Sequence, residues 1–524
     1  VRVKLAMVLF LAVLAGGAAV VWAVERGGSA VAADAVEPPR PAAQPPRVVV
    51  FMTFDEFPVD VLRLPDGHID PARFPNLAAF ARTATWFPNT QAVHDSTEKA
   101  LPAILDGRLP PRNGRGTLRW HPRNLFTLFA KHGYKVVASE EATSLCPVKV
   151  CPNVVKRKPT LENIKSGRRE RWDRWIAQIK RRPGRTLYYK HLLLPHLPWI
   201  YLPSGRETRV TLERLANVAG FGDRWLTLHN EQRMLLQAGF VDHQLGRIFA
   251  RLKKLGLFDQ ALIVITADHG IAFEVGVRDR RQVTRSNVDE VAPVPFLIKA
   301  PGQRHGSVVD ALVRTVDVLP TVAYLAGLPT DWRVDGRQAF DPVHRRRRTV
   351  SIPKRDFSAT VRISLSEWNR RRRANIRERA RIYGTGPAST LLRGSPWASL
   401  YAFGDSGKVV GASVRSVASG AASVRAQLLG AELFRNVDPR ARTIPVQVAG
   451  WIEGGRAGAR RRIAVAVNGR VAAVGSTFHM RGDRRELFSL VIPESVLRRG
   501  RNDVAVYELG GTGRGERLLR IASY

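Results

Sequence analysis

Apolar residues fall along this chain in three textures. Leu5–Val24 is one uncharged run, LAMVLFLAVLAGGAAVVWAV, with Arg2 and Lys4 before it and Glu25 and Arg26 after it. Its length matches the ~20 residues a helix needs to cross a bilayer. Between residues 47 and 330, short apolar runs alternate with stretches of helical spacing. Arg47–Phe54, Trp86–Val93, Lys135–Ala138, Thr186–Leu194, Ala261–Ala267 and Val294–Ala300 read as strands. Phe74–Ala81, Asn124–His132, Lys165–Arg182, Leu228–Leu255 and Thr315–Gly327 read as helices, the last with Pro320 in its first turns. Continuous apolar strands are those buried on both faces. The alternation predicts a layered α/β domain with a mostly parallel central sheet and helices on both faces. From Thr443 onward the runs are short and alternating: IPVQVAGWI, RRIAVAVNGRVAAVG, ELFSLVIP and NDVAVYEL. Asn468-Gly469 predicts a tight hairpin there, and the whole predicts a small all-β accessory domain, a sandwich.

These textures divide the chain into five parts: an N-terminal transmembrane anchor at 1–26, a Pro/Ala-rich linker at 27–46, the α/β domain at 47–340, a basic linker region at 341–440 and the β domain at 441–524. Basic residues ahead of the apolar run place the N-terminus inside and the remainder outside the membrane. A signal peptide cleaved after Ala30-Val31-Ala32 is the competing reading. The apolar cores of signal peptides span roughly 7–15 residues, so the length favours an uncleaved anchor. Cys146 and Cys151 are the only cysteines, and in an oxidising compartment they would staple a short loop. The formal net charge of +38 suits nucleic acid, an anionic membrane surface or an anionic envelope polymer. Outside the cell nucleic acid drops out, which leaves membrane lipid or anionic cell-envelope polymer. The basic runs His344–Arg348 and Arg370–Arg381 read as a solvated linker or helix face.

Two of the buried strands end in metal-ligand chemistry, one at Asp55-Glu56 and the other at Asp268-His269. Strand C-termini in open α/β sheets are where ligands bind, and three carboxylates with an imidazole suffice for one divalent cation. Ser96-Thr97 precedes an apolar helical segment ending at Gly107. Asp95 and Glu98 fit a capping pair that puts Thr97 in the first helical turn, where the helix dipole and free amides favour an anion. Pro102 predicts a kink or a later helix start. A hydroxyl beside the cation would be activated as a nucleophile.

Beyond those residues, the span 47–335 resembles the catalytic domain of the sulfatase-like branch of the alkaline phosphatase superfamily, which includes sulfatases, lipoteichoic acid synthases and phosphoethanolamine transferases. The resemblance is carried, in the family's order, by VVVFMTFDEFP, the Thr97 segment, HLLLPHLPW, VDHQLG, VITADHG, VPFLIKAPGQ and VDVLPTVAYLAG. It implies Asp55, Glu56, Thr97, Asp268 and His269 as ligands of one divalent metal ion (Mn, Zn, Mg or Ca). It also implies Thr97 as nucleophile and His196 as a contact to the transferred anion or leaving group. His191, Asp242 and Asp317 read as structural, and Lys190 as a weak candidate for anion binding. Family sulfatases carry a cysteine or serine in a Cys/Ser-X-Pro-X-Arg motif that becomes formylglycine; Ser96 here is followed by Thr-Glu-Lys-Ala. The expectation is a membrane-anchored, extracytoplasmic hydrolase or transferase acting on a phosphate ester through Thr97. A sulfuric ester hydrolase and a non-catalytic binder of anionic envelope polymer stay open as alternatives.

Overall fold

The computed structural model of the chain describes residues 39, 41, 43–152, 164, 166–209, 222–277, 279–384, 395–402, 407–456, 458–480, 482–511 and 517–523. Val1–Arg40 and Pro41–Tyr524 form separate units, and the second holds the strands and helices of the fold. The expected anchor Leu5–Val24 lies outside the described residues. Among the described residues no helix is long and apolar enough to cross a membrane.

A seven-stranded sheet carries the α/β domain: β1 Val48–Asp55, β2 Thr85–Trp86, β3 Tyr134–Ser139, β4 Arg185–Pro195, β5 Leu262–Ala267, β6 Phe296–Lys299 and β7 Ser307–Val308. Their spatial order is β3-β4-β1-β5-β6-β2-β7. The pairs β3–β4, β4–β1, β1–β5 and β2–β7 are parallel; β5–β6 and β6–β2 are antiparallel. The sheet is therefore mixed: it is mostly parallel, as the sequence predicts, with β6 alone running against the other six strands. Parallel re-entry needs a crossover of a dozen or more residues, usually helical. The connection from β5 to β6 carries, among the described residues, the one-turn helix Val288–Val291 and no longer one, and it brings the chain back antiparallel. The expected strand Trp86–Val93 is split into β2 and a separate Thr90–Gln91 segment, with Pro88, which has no N–H to donate, between them.

The period of two along β1 sorts its side chains into two cores. Val48, Val50, Met52 and Phe54 pack with Ile263, Ile265 and Ala267 against Trp172, Met234 and Leu245. Val49 and Phe51 pack with Leu262 and Val264 against Leu101, Phe126 and Leu319. Those partners lie on helices α1 Thr97–Asp106, α2 Leu125–Lys131, α3 Arg168–Gln178, α4 Arg224–Lys254 and α5 Val318–Ala326. Helices thus cover both faces. α1 runs through Pro102 without a later start.

The stretch expected as a basic linker is built into this body. It holds a hairpin, β8 Thr349–Pro353 with β9 Thr360–Ser364, and a helix, α6 Leu365–Tyr383. Trp368 and Tyr383 are fully buried. Arg372 donates Nε to Asp60 Oδ2 (2.7 Å) and Nη2 to Asp60 Oδ1 (2.8 Å), and Arg379 Nε donates to Glu231 (2.8 Å). Buried carboxylates on the α/β domain draw part of the basic run inward.

Among the described residues the C-terminal part carries one seven-stranded sheet, where the sequence predicts a sandwich, and its Thr443–Ile444 segment pairs with Glu207–Thr208 of the α/β body. The sheet includes Ala418–Leu429, from within the expected linker, which pairs parallel with the last strand Arg517–Ser523. One face of this sheet, with Ile463, Val465 and Val506, joins the core that contains β1. Residues such as Val409 and Val410 lie against Ala464, Val474 and Leu509 on the other. The α/β body supplies the layer a second sheet would have provided. Asn468 and Gly469, at φ +51° and +78°, turn the Arg462–Val467 strand into Arg470–Ser476 as their sequence predicts.

Candidate active site

Three chain segments end at one edge of the central sheet. In the β1–β5 pairing Phe54 sits opposite Ala267, so Asp55 and Asp268 leave the sheet side by side. A bulge between Phe54 and Asp55 sets Asp55 opposite Pro195 of β4, beside His196, and the His196 amide donates to the Asp55 carbonyl (3.1 Å). Gly270 lets the chain turn away: a Cβ there would come within 2.4 Å of the Glu290 carbonyl oxygen.

The Asp268 backbone amide donates to the Phe54 carbonyl (3.0 Å). Its Oδ1 accepts from the His269 amide (2.6 Å) and the Glu56 amide (3.3 Å), while Oδ2 is buried without a hydrogen bond. His269 Nδ1 donates to the Gly270 carbonyl (2.9 Å). That bond fixes the tautomer, and the Nε2 lone pair is left facing Thr97 Oγ1 at 3.3 Å. Thr97 Oγ1 also lies 3.3 Å from Asp55 Oδ1.

Thr97 is the first residue of α1, with Ser96 as an N-cap whose side chain makes no capping bond. The expected Asp95–Glu98 capping pair does not form. Asp95 is instead fully buried and accepts from the Val283 amide (3.0 Å) and Arg355 Nε (3.4 Å). Thr97 still occupies the first turn, where the helix N-terminus favours negative charge.

Asp55, Asp268 and His269 offer donor atoms within 4.8 Å of one another, and Asp55, Glu56 and His196 do the same. Burial, and then the neighbouring Asp268 and Glu56 charges, push the Asp55 carboxyl well above its usual range. Two buried carboxylates against one another, with an orphaned oxygen, are unfavourable alone and fit a bound cation. The residues present therefore suit one divalent metal. Glu56 is held differently. It has φ +57°, and its carboxylate accepts from Arg280 Nε (3.1 Å) and Nη2 (2.7 Å), with Arg281 Nε at 3.4 Å and His196 Nε2 at 3.3 Å. Burial raises this carboxyl, but Arg280, His196 and Arg281 outweigh it and bring it down to about 2.

His196 Nδ1 donates to the Leu197 carbonyl (2.6 Å). Burial, partly opposed by Glu56, pulls the ring down to about 4, so it is neutral at pH 7. Its loop is pinned by Arg168 Nη1 on the His196 carbonyl (2.6 Å) and by Gln237 Nε2 on the same oxygen (2.9 Å). Lys190 is not at the site: its ammonium is buried against Glu141 and Ser139. His191 is buried without a hydrogen bond at either nitrogen. Asp242 accepts from the Asn76 and Leu77 amides, and Asp317 from those of Arg314 and Arg337.

Arg280, Arg281, His94 and Arg355 escape the sequence. In a chain with 83 Lys and Arg, no spacing singles them out. The one available signal is Glu56, a carboxylate next to a metal-ligand position that would need its own counter-charge. Cys146 and Cys151 form a disulfide.

A family model described as Sulfatase matches residues 47–328, more than half of the chain. Over 110 residues the chain is 34% identical to the extracellular sulfatase SULF-1 homolog of Drosophila melanogaster, which covers 21% of this chain and 10% of that protein. Over 96 residues it is 33% identical to arylsulfatase K of Bos taurus, covering 18% and 17%. The matched stretches thus span under a fifth of these curated relatives. Among solved structures, a 2-O GAG sulfatase aligns at a TM-score of 0.44 and 16% identity, covering 59% of this chain and 77% of that one.

Proposed function

The chain belongs to the sulfatase family, and from that premise we propose that it is a metal-dependent extracytoplasmic hydrolase or transferase of phosphate esters, with Thr97 as nucleophile. The observation that carries this reading is the Thr97 hydroxyl, 3.3 Å from both Asp55 Oδ1 and His269 Nε2 at the N-terminus of α1. The membrane lipid headgroup or anionic envelope polymer suggested by the Leu5–Val24 run and the +38 charge is the substrate class. The disulfide supports an oxidising compartment.

Asp55, Asp268 and His269 would hold the cation, which supplies positive charge that favours the Thr97 alkoxide. Thr97 Oγ then gives up its proton and forms a bond to phosphorus as the ester P–O bond breaks, and that proton is delivered to the leaving oxygen. Water or an acceptor hydroxyl attacks the phosphothreonine in a second step and restores the Thr97 hydroxyl. The first-turn amides of α1 and the guanidinium of Arg281 favour the negative charge that develops. His196 contacts the leaving group as a neutral ring. A threonine is a secondary alcohol, and its oxidation gives a ketone, so the formylglycine route is closed at this position. Sulfate-ester hydrolysis is the second reading, favoured by the curated relatives.

Both readings are tested on purified protein with bis-p-nitrophenyl phosphate and p-nitrophenyl sulfate, with and without Mn, Zn, Mg or Ca. Metal-dependent phosphodiester turnover, phosphate on the Thr97 peptide by mass spectrometry, retention in Thr97→Ser and loss in Thr97→Ala support the proposal. Sulfate turnover that survives Thr97→Ala refutes it.

A further inference from the structure

The hairpin β8–β9 lies far along the chain from every site segment, yet its tip reaches the site. We infer that Arg355 and Phe357 at this tip form a clasp that positions the Thr97 segment against the Arg280–Arg281 segment. Arg355 is then a positioning residue for the transfer step. The inference rests on the reading of Thr97 as nucleophile.

The base of the hairpin is registered on the strand that leads to the nucleophile. Gln91 Nε2 donates to the Ser351 carbonyl (2.9 Å), and the Ser351 amide donates to Gln91 Oε1 (3.3 Å). At the tip, one guanidinium joins three segments. Arg355 Nε donates to Asp95 Oδ1 (3.4 Å), and Nη2 donates to the Asp95 carbonyl (3.3 Å). Its Nη1 holds Asp279 Oδ2, the residue before Arg280. The second oxygen of Asp95 accepts from the Val283 amide (3.0 Å). Asp95, two residues before Thr97, is thereby tied to both ends of the short stretch that delivers Arg280 and Arg281 to Glu56, directly at Val283 and through Arg355 at Asp279. With Asp95 fully buried, loss of Arg355 would leave its carboxylate without its cationic partner.

Phe357 adds a wall. It has φ +58°, a left-handed conformation that bulky residues rarely take and that often marks a functional constraint. Its ring centroid lies 4.9 Å from that of His94, and Lys99 Nζ lies 5.6 Å from it. His94 and Lys99 flank Ser96 and Thr97, so the ring covers the first turn of α1 from this side. Lys99 Nζ is itself fixed by the carbonyls of Pro111 (2.9 Å) and Arg112 (2.8 Å). The Arg355–Asp279 pair has side-chain exposures of 33% and 31%, and a pair so exposed contributes little to stability; the stability Arg355 contributes comes from the buried Asp95. A lysine keeps that charge but not the three-way fork, so geometry is separable from charge, and a small misplacement of reacting groups costs up to about 100-fold in rate.

The test compares the full chain with Arg355→Ala, Arg355→Lys and Phe357→Gly, at saturating metal with bis-p-nitrophenyl phosphate. Melting temperature and hydrogen exchange at the Val283 amide are measured alongside. Arg355→Ala is expected to lower kcat about 10–100-fold while KM moves less than about threefold. Its melting temperature falls, as a buried carboxylate left unpaired requires, its Val283 amide exchanges faster, and Arg355→Lys, which keeps the charge, restores the melting temperature but only part of kcat. Phe357→Gly, which relieves the left-handed backbone, lowers kcat without lowering the melting temperature. Unchanged kcat and a still-protected Val283 amide in Arg355→Ala overturn the inference. So does an equal collapse of kcat and melting temperature in both Arg355 variants. If the parent chain turns over no phosphodiester, the Thr97 reading fails, and Val283 exchange still decides the clasp.

Discussion

Replacing Arg280 by methionine removes the main counter-charge of a buried carboxylate and keeps most of the side-chain volume. Glu56 is 1% exposed and is held at about 2 against an ordinary 4.5. At about 1.4 kcal/mol per unit, that gap is about 3 kcal/mol in favour of the charged, folded form, net of burial. Breaking a buried pair by removing one partner costs about 3–5 kcal/mol as a rule; Arg281 at 3.4 Å retains some of the stabilisation here. The expected loss in Arg280→Met is therefore about 2–3 kcal/mol at pH 7. A carboxyl depressed in the folded state contributes stability that is present above its unfolded value and lost as pH falls through the folded one. The deficit of the variant should hold from pH 8 to about 5, then shrink as pH drops from about 4.5 toward 2. Urea denaturation at several pH values in chelator reads this directly. Glu56→Gln and the double variant complete a cycle, in which the double loses much less than the sum of the singles. A deficit under about 0.5 kcal/mol at pH 7, a deficit independent of pH, or additive singles would refute the clamp.

Asp55 must ionise to hold a cation, and its carboxyl is raised, so metal affinity should weaken on acidification, starting at a higher pH than for an ordinary aspartate. Calorimetric titration with Mn in buffers of different ionisation enthalpy should show proton release, and an affinity unchanged from pH 8 to 5 would count against it. Replacing both Cys146 and Cys151 by alanine is expected to cost about 2 kcal/mol, as a short closed loop implies, with no free thiol in the native parent by Ellman titration. Arg372→Ala leaves buried Asp60 with Arg63 alone, at 3.2 Å, and should cost about 2–3 kcal/mol by urea denaturation; a loss under about 0.5 kcal/mol would mean that α6 is only a solvated basic face.

Much of the site is legible in the sequence because strand chemistry is local. VVVFMTF and LIVITA are too apolar to lie anywhere but inside a sheet, so the polar pairs that end them must emerge at its edge. Asp55 and Asp268 could be paired from that argument alone, and the resemblance added Thr97 and His196. The direction of β6 was not legible: whether a strand enters parallel or antiparallel depends on the path of the connecting loop, which a buried apolar run does not encode. Nor was the way the C-terminal sheet is covered, because alternating strands show that one face is buried without showing what buries it. Here the other layer is the α/β body itself.

What the sequence determined by itself, then, is the set of residues that local pattern forces to a strand end: Asp55, Asp268 and His269. What only the tertiary structure decided is the charge around them. Arg280, Arg281 and Arg355 are three among 83 basic residues, identical in type to those on solvated faces. Their partners Glu56, Asp279 and Asp95 lie between 76 and 260 residues away. An ion pair has no periodicity along the chain. It exists only where folding brings opposite charges together and excludes the water that would otherwise screen them.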